Sequence, residues 1–414
     1  MSKLIFNGSF AALKIDNMLT NRQIFQAHLA TPSVVHDPIE IVRAKGIYLY
    51  DNEGNEYIDL VSGVSVSNVG HLHPRVVEAV KNQLNDYMHL MVYGKFVQSP
   101  QVRLAELLTK QLPESLNSVF FVNSGSEAIE GALKLAKRLT GRAEMIGFKN
   151  AYHGGTMGAL SMLGNEELKN AFRPLLPAIR FLDFNNTEQL LQITDKTACV
   201  LIEPVQAEAG IIIPEKNYLK ALRARCNKTG TILIFDEIQM GFGRTGKLFA
   251  FQCFDVVPDI LCLAKAMGGG MPIGAFISSA EKMKSLTFNP ELGHITTFGG
   301  HPVSCAAALA SLQVLLDEKL IEQAETKGQR YVDELIQHHA VENIRRIGLM
   351  LGIQVIKSID INKLMKSIRK HRLIVDQFLF DNNAFRIAPP LTITDSEIDK
   401  TIELVYSALD ESIQ

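Results

Sequence analysis

Ile260-Leu261-Cys262-Leu263-Ala264-Lys265-Ala266-Met267-Gly268-Gly269-Gly270-Met271-Pro272-Ile273-Gly274-Ala275-Phe276-Ile277-Ser278-Ser279-Ala280 is almost wholly apolar and carries one charge, Lys265. About twenty such residues are enough to span a bilayer. Gly268-Gly269-Gly270 and Pro272 break a helix, however, and a lone ammonium inside the run argues against lipid. The stretch reads instead as a buried core strand and a turn, with strands at 260–263 and 274–278. Why the core would tolerate Lys265 is then the question that leads to function.

Working outward, amphipathic helices at 74–88, 99–111 and 126–139 alternate with short apolar strands at 118–122, 145–148, 198–202 and 231–235. Such alternation predicts an α/β domain around a mostly parallel sheet. Upstream, 47–50 and 56–60 flank Asp51-Asn52-Glu53-Gly54-Asn55 and read as a hairpin with a turn-rich loop. The opening, up to about Pro38, reads as irregular with short helical segments. A small-residue-rich helix from Pro302 to about Leu316 leads away from the sheet. The remainder, with a strand at 351–356, reads as a smaller α+β domain. The expected division is an N-terminal segment (1–60) packing with the small domain, a large domain (61–302) and a small C-terminal domain (303–414).

The 414 residues are 47% hydrophobic and 21% charged, enough for more than one ordinary domain. A net charge of −2 gives no electrostatic footprint for nucleic acid or an anionic membrane. The basic cluster Lys363, Lys366, Arg369, Lys370 and Arg372 suits the solvated face of a short surface helix. Five scattered cysteines without Cys-x-x-Cys spacing argue against a disulfide framework or a zinc site, and for a reducing cytoplasm. The segment beginning Met1-Ser2-Lys3-Leu4 has no sustained apolar run or small-residue cleavage signal, so no secretory or transit peptide is expected.

Gly241-Phe242-Gly243-Arg244-Thr245-Gly246 fits the dinucleotide pattern and, with Lys247, nearly fits a phosphate loop. The first glycine lies five residues beyond the strand's end, too far for the tight strand–loop–helix turn. Leu248 also stands where a metal-binding hydroxyl is needed. Nicotinamide or nucleotide binding is therefore a remote alternative.

Three features remain. Desolvation would lower the pKa of Lys265 and free its amine as a nucleophile, and such lysines form Schiff bases with carbonyl compounds. Asp236 ends an apolar strand, at the edge where ligands of parallel sheets gather, and needs a cationic partner. Asn123-Ser124-Gly125-Ser126-Glu127-Ala128 joins a strand to a helix N-terminus, where backbone N–H groups and hydroxyls face an anion. Taken singly, the first and the last have plainer readings: a lysine reaching out from a surface loop, and an ordinary N-cap.

Together with Glu203-Pro204-Val205-Gln206-Ala207-Glu208, Asp236-Glu237-Ile238-Gln239, Ala264–Gly270 and Thr297-Phe298-Gly299-Gly300-His301-Pro302, in that order, these motifs resemble the class-III aminotransferases of pyridoxal-phosphate fold type I. Gly63–Pro74 and Phe385-Arg386-Ile387-Ala388-Pro389-Pro390 extend the likeness over nearly the whole chain. The resemblance implies a seven-stranded, mostly parallel sheet in the large domain and pyridoxal 5'-phosphate as cofactor. It implies that Lys265 holds the cofactor as a Schiff base and moves the reaction proton, and that Asp236 keeps the pyridine nitrogen protonated. It puts Ser124, Gly125 and Ser126 at the phosphate, Tyr152 on the ring face and Gln239 near the ring hydroxyl. Glu203 would orient Gln239 or its neighbours. Thr297 would reach the phosphate of a neighbouring subunit, implying a homodimer with shared sites.

Phe385–Pro390 is similar to the carboxylate-binding segment of the acetylornithine and ornithine group. Arg386 would bind a substrate carboxylate, Glu208 would mask that arginine while an ω-amine reacts, and Thr296 would join the substrate contacts. Two departures stand out. Val64 occupies the place of a tyrosine in ornithine enzymes, and Gly155 that of an arginine common after the aromatic–His–Gly motif. The expected activity is transfer of an amino group from an ω-amino acid or related amine to a 2-keto acid such as 2-oxoglutarate, by a ping-pong mechanism. An aminomutase or decarboxylase on the same fold is the alternative.

Overall fold

Seven strands form the central sheet in the order Ser118–Val122, Gly274–Ser278, Ile260–Leu263, Ile232–Asp236, Thr197–Ile202, Glu144–Phe148, Ile179–Leu182. The structure is a computed structural model that describes residues 19–33 and 38–413. The expected opening segment up to Pro38 thus lies largely outside the described residues. What is described of it is the helix Asn21–His28, closed at its start by a Thr20–Gln23 capping box.

All neighbours in the sheet run parallel except Gly274–Ser278, which is antiparallel to both of its partners. Chain length explains the exception. The connection 264–273 is shorter than the dozen or more residues that a parallel crossover needs. Its tightness holds Lys265 at the sheet's edge, with φ at +47°. The middle strands Thr197–Ile202, Ile260–Leu263 and Gly274–Ser278 are buried at every residue. Both faces are covered, so these strands read as continuous apolar runs rather than alternating ones. On one face the helix Gly125–Thr140 lies close because Gly131 has no side chain; a Cβ there would come within 2.3 Å of the Phe276 ring.

One strand of this sheet was not expected. Ile179–Leu182 forms the sheet's outer edge, and its four residues are largely half-buried. With Arg180 interrupting so short a run, the apolar signal is too weak to separate it from a loop. The predicted hairpin is present as Tyr48–Asp51 and Glu56–Asp59, paired antiparallel. The Asp51 carboxylate ties its loop by accepting from the N–H groups of Glu53 and Asn55 at 3.0 and 2.8 Å. Leu373–Ile374 joins this hairpin in parallel, so the first and last parts of the chain share a sheet. A third sheet orders Val341–Ile347, Met350–Val355, Ala384–Ile387 and Asp376–Gln377. The basic cluster lies on and just after the helix Ile361–Lys370, and Lys370 pairs with Glu411.

The glycine-rich run 241–246 is a joint within the chain. Arg244, fully buried, donates to the carbonyls of Leu349 (2.9 Å) and Pro389 (2.6 Å) and to Asn68 Oδ1 (2.6 Å). Burial pulls its pKa down to about 9. Leaving these acceptors without a donor would cost about 1–3 kcal/mol each. Gly243 and Gly246 take φ of +91° and +82° to let the loop turn around the guanidinium. The motif is explained by this knot and not by a nucleotide.

Candidate active site

The carboxyl ends of the parallel strands open on a cavity of about 400 Å³. Lys265, Asp236, Ser124, Gly125, Ser126, Tyr152 and Gln239 are all among its walls, with Asn123, His153, Glu203, Ile238 and Met240. Residues far apart in sequence meet because each follows a strand that ends on this side.

Burial pulls the Lys265 pKa below the ordinary lysine range, and Arg386 adds to that, while Glu208, Asp236 and Glu203 oppose it. No hydrogen bond or ion pair to the Lys265 amine is found among the described residues. A lowered pKa favours the neutral amine, the form that attacks a carbonyl.

Asp236 is buried and doubly held. Its Oδ1 accepts from the Ile238 N–H at 3.0 Å, and its Oδ2 meets His153 Nδ1 at 2.7 Å. His153 Nε2 is buried, with no hydrogen-bond partner among the described residues. Sequence reasoning missed this partnership, although His153 stands in the Tyr152-His153-Gly154 motif that it noted. Glu203 orients neighbours of Gln239 and not Gln239 itself: its two oxygens accept from the N–H groups of Tyr152 (3.0 Å) and Ala207 (2.9 Å). Burial pushes Glu203 up to about 7, with His153 drawing it back.

Ser124 caps the helix Gly125–Thr140, its Oγ accepting from Glu127 N at 3.2 Å. The first N–H groups of a helix have no partner within it and point outward with the positive end of the helix dipole. Gly154 keeps room for Ser126, since a Cβ there would fall 2.1 Å from the Ser126 hydroxyl. A nucleophilic amine, a buried carboxylate, a flat Tyr152 ring and an anion-binding turn thus line one cavity. That donor set fits pyridoxal phosphate: carbonyl, basic ring nitrogen, aromatic face and phosphate.

Arg386 and Glu208 lie beyond Gln239. Arg386 Nη1 donates to Glu208 Oε1 at 2.7 Å, and the Arg386 side chain is 1% exposed. Turned to suit both neighbours, the Gln239 amide accepts from Arg386 Nη1 (2.6 Å) and donates to Glu208 Oε1 (3.2 Å). Arg386 Nη2 also binds Asp376 Oδ2 at 2.7 Å, a residue directly across the strand pair. Nothing in the sequence marked Asp376, because cross-strand register is invisible without the fold. Burial would lower the Arg386 pKa, but Glu208 and Asp376 together hold it above its ordinary value.

Thr296 and Thr297 are not brought to this cavity within the same chain. Thr296 Oγ1 accepts from Asn123 Nδ2 at 2.7 Å. Thr297 is exposed, with its hydroxyl 3.3 Å from that of Tyr93.

Fold and cavity together define an α/β enzyme with a lysine poised for carbonyl chemistry beside an anion-binding turn. The family model for aminotransferase class-III matches residues 30–409. The chain is 41% identical over 377 residues to the acetylornithine aminotransferase of Methanopyrus kandleri, covering 91% of this chain and 95% of that protein. It is 39% identical over 379 residues to that of Clostridium acetobutylicum, covering 89% and 95%. Among solved structures, the ornithine aminotransferase of Toxoplasma gondii ME49 superimposes with a TM-score of 0.87 at 30% identity, covering 95% of this chain and 96% of that one. The chain belongs to the class-III aminotransferases. It is a pyridoxal-phosphate-dependent aminotransferase, with the mostly parallel seven-stranded sheet of fold type I.

Proposed function

We propose that the enzyme takes the terminal amino group of an ω-amino acid of the acetylornithine or ornithine kind and gives it to a 2-keto acid such as 2-oxoglutarate, in alternating half-reactions on one site. The observation that carries this reading is the Glu208–Arg386 ion pair, 2.7 Å long, behind Gln239. When bound, the cofactor supplies an electron sink for the substrate carbon that loses its proton. The chain's own groups do the rest. Lys265 would hold the cofactor through its carbonyl and would carry the substrate proton, Asp236 would keep a proton at the ring nitrogen, and Ser124, Gly125 and Ser126 would hold the phosphate. Tyr152 gives the ring a flat partner, and Gln239 bridges from the cavity to the Glu208–Arg386 pair.

An ω-amine donor has its carboxylate too far out for Arg386, so Glu208 stays on the guanidinium in that half-reaction. A 2-keto acid displaces Glu208 and takes its place. Asp376 supports such a switch, because Arg386 keeps one counter-ion when Glu208 leaves and is never stranded without charge in a buried site. Arg386→Ala is therefore expected to lose the keto-acid half-reaction by several kcal/mol, on the order of a desolvated charged pair. The amine half-reaction should suffer less. Single-turnover measurements of each half decide it, and equal damage to both would sink the switch. Gly155 offers a second handle, since a Cβ there meets nothing within 4 Å. Gly155→Arg should improve 2-oxoglutarate relative to pyruvate by supplying a partner for the second carboxylate.

We further propose a cytoplasmic homodimer in which Thr297 serves the partner's phosphate site. Exposed Met88, Phe96, Val97, Ile295 and Phe298 support a partnered surface around Thr297. The two segments that carry these residues touch, with the rings of His89 and Phe298 4.9 Å apart. Sedimentation equilibrium should give twice the chain mass, and a monomer that retains full activity would refute the shared site. All five cysteines are free, as suits a reducing compartment. Among the described residues no helix is long and apolar enough to cross a membrane.

A further inference from the structure

Thr296 makes a connection that a substrate contact would not require. Its Oγ1 takes one N–H of the Asn123 amide at 2.7 Å. Asn123 is a wall of the cavity and the first residue after the strand Ser118–Val122. Its backbone N–H and its amide also donate to Glu127 Oε2, at 2.7 and 2.9 Å. Glu127 N in turn donates to Ser124 Oγ. The turn that opens the helix Gly125–Thr140 is thus laced to itself through Asn123, Glu127 and Ser124, and to the rest of the molecule through Thr296. The segment that carries Thr296 packs closely on the sheet. Gly299 lies against the same strand, where a Cβ would fall 2.5 Å from the Phe121 carbonyl oxygen.

We infer that Thr296 is a positioning residue that fixes the Asn123–Ser126 turn, and so sets how firmly the cofactor's phosphate is held. An asparagine amide has two N–H groups. Glu127 takes one but rides on the helix that the turn opens, so it moves with the turn. Thr296 takes the other from a separate segment and resists that motion. The hydroxyl, and not the bulk of the side chain, does this. The inference rests on the reading of Ser124, Gly125 and Ser126 as the phosphate cradle.

The test follows cofactor release from the purified holoenzyme by loss of its visible absorbance in cofactor-free buffer. Thr296→Val keeps the shape and removes the hydroxyl. Release should quicken about fivefold, the factor that one ordinary hydrogen bond carries. Thr296→Ser should return it to within about twofold of the parent, which loss of packing alone would not produce. Thr296→Ala gives the same comparison should valine prevent folding. Ser126→Ala reports on the cradle itself. If Ser126→Ala quickens release while Thr296→Val and Thr296→Ala leave it at the parental rate, the positioning role is overturned. If Ser126→Ala also leaves release unchanged, the cradle reading fails instead.

Discussion

Lys265→Ala is expected to stop turnover while leaving a protein that still binds pyridoxal phosphate. Two losses combine. The first is the amine proposed to link to the cofactor's carbonyl, and among the described residues no other lysine lines the cavity to replace it. The second is the group that carries the reaction proton, a role worth roughly 10²–10⁴-fold by itself. The binding contacts survive, since the turn at Ser124–Ser126, Asp236 and Tyr152 are untouched. The fold should tolerate the change. The Lys265 amine has no partner among the described residues, so truncation leaves no acceptor orphaned, and removing a partly desolvated cation relieves a cost. In the parent protein, borohydride followed by peptide mapping should place the label on Lys265. In the variant the label should vanish while cofactor still co-purifies. The Lys265 pKa is pulled down, so covalent attachment should persist to lower pH than an ordinary lysine would allow. Label on another lysine, or a variant that still turns over, would overturn the assignment.

How legible this site was in the chain depended on whether a feature is local. Lys265 could be singled out because a charge in an apolar run is anomalous without any structure. The strand at 118–122 and the turn after it could be placed because strand, hydroxyl-rich turn and helix follow one another directly. Asp236 was placed by the end of its strand. What escaped was whatever depends on the way distant segments meet. His153 against Asp236 joins two strand ends, and Asp376 against Arg386 needs the register of an edge strand. The Asn123–Thr296 bond crosses between segments that nothing in either sequence pairs. The reversed direction of Gly274–Ser278 was implicit in the shortness of its connection, but the apolar pattern is the same either way. Resemblance carried the assignment of Glu208 to Arg386, and the ion pair between them is present. Neither residue's local setting would have suggested it.

Asp236→Ala is expected to have the second-largest effect, and its size is set by what Asp236 holds. Its side chain is 5% exposed, and its carboxylate meets His153 Nδ1 at 2.7 Å. Pyridoxal phosphate brings a ring nitrogen that must keep its proton if the ring is to draw charge from the substrate carbon. Removing the anion from such a buried pair typically costs about 3–5 kcal/mol. Turnover and cofactor retention together should therefore fall by about 10²–10⁴-fold. Asp236→Asn separates charge from shape. Its amide oxygen can still accept from the Ile238 N–H, so the strand end should keep its form, yet the negative charge is gone. If the charge is what matters, asparagine should lose nearly as much turnover as alanine while retaining cofactor better. His153→Ala should do less than either, because the carboxylate remains and loses only the group that steadies it. Near-parental turnover in Asp236→Asn would show that another group protonates the ring. Equal loss in Asp236→Asn and His153→Ala would shift the essential contribution from the charge to the geometry of the pair.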